Sequence, residues 1–171
     1  MLFLKALRTT NAALEKAAFA LAMVIVAAIV LALSLSALTR LVSGNGYDWF
    51  IELPPVLVCW LVFPLLGPLL RKGQHIQVNF VDSFSPKRHI SFIKLINNFI
   101  ALIASIIFLK AGYDATLLYY RMGQIFEIEL EIPVWWMYLA FPTGFLILLL
   151  VSTELVIEDL KKLIKSNKIA E

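Results

Sequence analysis

Only one cysteine, Cys59, occurs in the chain, and it lies in an apolar run. That excludes an internal disulfide, a dithiol relay and a thiolate metal cluster. Charge is also scarce, at 16% of residues, against roughly a quarter in soluble domains. The two histidines, His75 and His89, both fall in a basic stretch outside the apolar runs, so the intramembrane axial ligands of a haem-carrying bundle are missing. No internal repeat, low-complexity tract or soluble domain is visible.

What is abundant is hydrocarbon. Hydrophobic residues make up 61% of the 171, and mean hydropathy is +0.86. The expectation is one all-α membrane domain, residues 1–171, with four transmembrane helices at approximately 17–40, 50–70, 90–112 and 134–153. The net charge of +3 gathers beside these spans, where lipid headgroups and insertion rules account for it, and not as a nucleic-acid surface. No cofactor is expected.

The first 16 residues set Phe3, Leu7 and Leu14 against Lys5, Arg8 and Lys16, the pattern of an N-terminal interfacial amphipathic helix. Ala17 to Leu38 then carries no charge. This run is longer than a signal core, so it is expected to be retained as the first span. Gly44 to Gly46 supply turn chemistry, and the second span holds Pro54, Pro55, Pro64 and Pro68, which remove backbone donors and favour kinks.

After Gly73, residues Ile76 to Phe84 fit a short surface helix better than a strand, and Ser85-Pro86 is a helix-start signal. The helix that follows has no breaker before Gly123, which makes it about 55 Å long. Gln124 to Glu131 alternates Phe126, Ile128 and Leu130 with Glu127, Glu129 and Glu131, the period of an extended segment with one acidic side. Pro133 closes it. From Glu154 onward the last helix is expected to continue outside the lipid.

Four crossings put both termini on one side. With that side cytoplasmic, Lys5, Arg8, Lys16, Arg71, Lys72, Lys87, Arg88, Lys94, Lys161, Lys162, Lys165 and Lys168 lie inside, against Arg40, Lys110 and Arg121 outside. This is the arrangement that the positive-inside rule demands. On this reading the apolar cores hold no acid or base, and Asn97 and Asn98 are the most polar candidates for interhelical bonding.

Glu52, then Trp60 eight residues on, Arg71 after eleven more, and Gly73, His75 and Ile76 form a spaced set. With Pro133, Trp136, Tyr138, Pro142, Gly144 and Phe145 in the last span, it resembles the small membrane subunit (DctQ-like) of tripartite ATP-independent periplasmic (TRAP) transporters. The resemblance covers nearly the whole chain, departing at Pro54-Pro55 and Asn79. It implies a non-enzymatic subunit in the bacterial inner membrane. A periplasmic substrate-binding protein would capture an organic acid, of the C4-dicarboxylate or sialic acid class. A large membrane subunit would carry it inward with sodium in an elevator-like motion, while the small subunit packs against that subunit's scaffold.

Partner contacts are then expected at Glu52, Trp60, Arg71, Gly73, His75, Asn97, Asn98, Pro133, Trp136 and Pro142. Periplasmic docking is expected at Asp48, Asp114, Arg121, Glu127, Glu129 and Glu131. Two rivals predict different features. A stand-alone four-helix exporter requires a membrane-embedded acid, and a quinone-linked redox protein requires paired cysteines or intramembrane histidines.

Overall fold

Charge-free runs long enough to span a bilayer become helices because lipid offers the backbone no hydrogen-bonding partner. The computed structural model describes residues 2–44, 49–73, 87–126 and 131–169, and these form helices with no strand among them. Helix α1 is Leu2–Ser43, α2 is Trp49–Val62, a 3-10 turn covers Phe63–Leu65, and α3 is Leu66–Arg71. Helices α4 (Lys87–Met122), α5 (Val134–Tyr138) and α6 (Ala140–Ile169) complete it. Among the described residues, four stretches are long and apolar enough to cross a membrane: Leu4–Ser43, Phe50–Arg71, Ile93–Met122 and Val134–Ile164.

The segment expected at the interface is helical and runs into the first span without a break. Its buried positions, Asn11, Ala18, Ala22, Ile25, Ala32 and Ser36, recur at three-, four- and seven-residue intervals. Small side chains on that stripe let α1 lie close against α2.

The prolines shape the second span. Pro64 and Pro68 bring no N–H, so the carbonyls four residues earlier lose their helical donors. The ladder tightens into the 3-10 turn, where the Leu66 N–H reaches back only to the Phe63 carbonyl. Gly73 ends the span in the left-handed region, φ 65°, and donates its N–H to the Leu70 carbonyl at 3.1 Å, as a glycine following a helix does.

Helix α6 is central, packing on α4, on α3 with the 3-10 turn, and on α1. Its approach to the 3-10 turn is possible only because residue 144 is glycine. A Cβ there would stand 2.5 Å from the Phe63 carbonyl carbon, and one on Gly67 would stand 2.8 Å from the Ile147 side chain. On its other side, α4 lies antiparallel to α6 along most of its length, and Gly112 abuts Phe141 and Pro142.

Of the segment expected to be extended, Glu127 to Leu130 lie outside the described residues, and Gln124 to Phe126 meet Ile132 to Val134. Ile125 and Pro133 form an isolated antiparallel bridge. The Phe126 N–H donates to the Ile132 carbonyl and the Val134 N–H to the Gln124 carbonyl, both at 3.0 Å. These bonds pair backbone groups of the two flanking stretches with each other. The expected helix at Ile76 to Phe84 and the Ser85-Pro86 cap lie outside the described residues, and α4 begins directly after them at Lys87.

Candidate functional site

The polar residues that the fold brings together meet at the end of the bundle where Arg71 closes α3. Its guanidinium donates from Nη2 to Glu154 Oε1 at 3.1 Å and from Nη1 to Glu15 Oε2 at 3.4 Å. Lys72 Nζ stands 3.7 Å from Glu15 Oε1 and 3.9 Å from the centre of the Phe19 ring. Asn11 donates from Nδ2 to Glu154 Oε2 at 2.6 Å and to the Leu150 carbonyl at 3.1 Å. Glu154 is only 2% exposed.

A carboxylate so enclosed survives only with its charge matched and its lone pairs occupied. Two acids face two bases here, so the cluster is neutral. Its members come from α1, α3 and α6, and it ties those three helices. One atom is unmatched, since Asn11 Oδ1 is buried without a hydrogen-bond partner. Beyond this cluster Asn98 donates to Asp159 Oδ2 at 2.8 Å, joining α4 to α6.

Aromatic rings dominate the other half of the bundle. The Trp60 indole N–H donates to the Trp136 carbonyl at 3.1 Å, with ring centres 6.5 Å apart. Phe63 packs on Phe141 at 4.0 Å, Tyr119 stacks on Tyr138 at 4.2 Å, and the Tyr138 hydroxyl donates to that of Tyr119. A shallow apolar recess of about 200 Å³ opens between α4 and α5, lined by Tyr113, Thr116, Leu117, Tyr120, Trp135, Leu139 and Pro142.

The spaced set read from the sequence is therefore not one site. Glu52 lies in the first turn of α2, with one carboxylate oxygen buried and unpartnered. Trp60 meets Trp136 near the middle of that span, and Arg71 meets the acids at its far end. Pro133 caps α5 in an extended conformation, and Pro142 is buried against Gly112. Asn98 makes the interhelical bond expected of it, whereas Asn97 is exposed. Asp114, Arg121 and Glu131 are exposed. His75, Asp48, Glu127 and Glu129 lie outside the described residues.

Asn11, Glu15 and Glu154 escape the sequence reading. Glu154 reads there as the start of a solvated helix extension, but the structure buries it. The available signal is spacing: Asn11 and Glu15 begin the three-and-four repeat that Ala18, Ala22 and Ile25 continue, so they belong to the packed stripe of α1.

The packing of α4 also gives the level of Lys110 along the bundle. Lys110 reads from the sequence as external, because the apolar run ends at Leu109. The structure sets it between Phe108, which stacks on Phe145 at 5.1 Å, and Gly112, which abuts Phe141. Lys110 is therefore level with the first turn of α6.

Residues 29–162 match the family model of the DctQ component of the tripartite ATP-independent periplasmic transporters. Arg71 and Glu154 fall within the match, and Asn11 and Glu15 precede it. None of the curated proteins matches the chain.

Proposed function

Since the chain belongs to the DctQ family of TRAP transporter components, we propose that it is the small, non-translocating subunit of a sodium-driven importer of organic acids. C4-dicarboxylates and sialic acids are the substrate class that this reading favours, and the bacterial inner membrane is its location. Membership supports a multi-pass transporter subunit and implies a large membrane subunit and a binding protein as its partners.

The observation that carries the supporting role is the Arg71 cluster. Glu15, Glu154, Arg71 and Lys72 pair with one another, so these charges bind helix to helix. A solute path instead lines a cavity with polar or ionisable groups, and the recess between α4 and α5 is lined by no charged side chain. The cytoplasmic side is the cluster side, which gathers the basic residues as the positive-inside rule requires.

In this arrangement Trp60, Gly73, His75 and Asn97 anchor the membrane and cytoplasmic parts of the subunit interface, and Glu52, Pro133 and Trp136 its outer part, while Arg71, Asn98 and Pro142 hold the chain's own helices together. The outer end of the bundle, with Asp48, Arg121, Glu127, Glu129 and Glu131, is the docking surface for the periplasmic binding protein, and Asp114, expected among them, is assigned instead to the outward side of α4. The test is reconstitution of the large subunit and binding protein with and without this chain. Sodium-driven uptake is expected only with it, and full uptake in its absence overturns the reading.

A further inference from the structure

Helix α4 is out of step with the other spans. Glu15, Arg71 and Glu154 meet at one level, and Val134 stands about 30 Å along the helical rise from Glu154, one hydrocarbon thickness. The stacking of Phe108 on Phe145 and the approach of Gly112 to Phe141 and Pro142 set α4 against that ruler. Lys110 is then level with Thr143, close to the midpoint, and Asp114 lies one turn nearer the outer end.

Both side chains are exposed, and among the described residues neither enters an ion pair. At about 100° per residue they point directly away from Ser105, Gly112 and Thr116, the buried side of α4. Ile96, Ile103, Ile107 and Arg121 continue the same exposed stripe at three-, four- and seven-residue spacing, the periodicity of a helix seam.

Charges at that depth are costly against lipid. With both membrane surfaces about 15 Å away, a lysine cannot snorkel out. The exposed side of α1 differs, since Ala17 to Thr39 carries no ionisable residue and suits lipid as it stands. A second copy of the chain does not fit the stripe either. Copies in one membrane share an orientation, so a two-fold contact sets Lys110 against Lys110 and Asp114 against Asp114.

We propose that the outward stripe of α4, centred on Lys110 and Asp114, is the surface that seats a transmembrane helix of the large transporter subunit. That helix presents an acidic group at the depth of Lys110 and a basic or hydrogen-bond-donating group at the depth of Asp114. The proposal rests on the small-subunit reading and adds to it which helix makes the contact.

The test places a photo-reactive amino acid at Ile103 or Ile107 on α4, and at Val24 or Leu31 on α1, in membranes that also contain the large subunit and binding protein. Adducts identified by mass as the large subunit are expected from the α4 positions. Adducts to the large subunit from α1 alone overturn the assigned surface and leave the small-subunit reading standing. Adducts from α4 to a second copy, or to lipid alone, overturn it too. If the unsubstituted chain fails to co-purify the large subunit, the underlying reading falls as well.

A second measurement uses charge. Lys110→Glu is expected to lower co-purified large subunit about tenfold or more, as like charges meet across the seam. The double variant Lys110→Leu/Asp114→Leu makes the stripe wholly lipid-compatible, and it is expected to lose the partner while the chain itself still accumulates. Unchanged partner recovery with the double variant overturns the proposal.

Discussion

Glu154 shows what a single side chain can do in a bundle that is otherwise hydrocarbon. Glu154→Leu leaves Asn11 without its strongest acceptor and Arg71 with Glu15 alone. Loss of one partner from a buried pair costs about 3–5 kcal/mol, and unfolding titrations in mixed detergent should read a loss of that order. Arg71→Lys retains the charge, but one ammonium cannot hold two carboxylates as a planar fork does. The expected loss is about 1–3 kcal/mol. Gly144→Ala acts by volume alone. Its added carbon meets backbone at Phe63, which cannot rotate aside, so overpacking should cost at least about 1–3 kcal/mol by the same titration. None of these positions stands out by residue type. Glu154 looks like any acid at a helix exit, and Gly144 like any glycine, until three helices are set side by side.

At the scale of elements, the four spans and the kinked second helix are legible in the sequence because hydropathy, helix-start signals and proline act locally. The long third helix is legible too, since nothing between Pro86 and Gly123 breaks it. Its register against α6 is not, because hydropathy measures each helix on its own axis. The register is set by Gly112, Phe108 and Asn98, whose partners are distant in sequence. The Asn98 bond to Asp159 holds the cluster-side end of α4. Asn98→Leu should cost about 0.5–2 kcal/mol and speed amide hydrogen exchange near Lys94 to Asn98, leaving the Tyr119–Tyr138 end unchanged. Equal acceleration at both ends would mean that the bond does not act locally.

For the whole molecule, the two halves are held by different forces. Ion pairs close one end, and aromatic contacts with backbone-to-glycine packing close the other. The positive-inside reading gives the orientation. In a Cys59→Ser background, cysteines introduced at Ser43 and at Lys161 should react with an impermeant thiol reagent from opposite faces of the membrane, Lys161→Cys from the cytoplasm. Labelling of both from one face would contradict four crossings. The family and the helical bundle are legible from spacing and composition, whereas the neutral cluster requires Asn11, Glu15, Arg71 and Glu154 to be seen in one place.

That cluster also bears on the order in which the protein is made. A chain synthesised from its N-terminus presents Glu15 with the first span and Arg71 with the second, so these two can neutralise each other while Glu154 is still untranslated. The last helix thus enters a membrane already holding a guanidinium with a free nitrogen and an amide in wait. Its carboxylate arrives at a prepared seat.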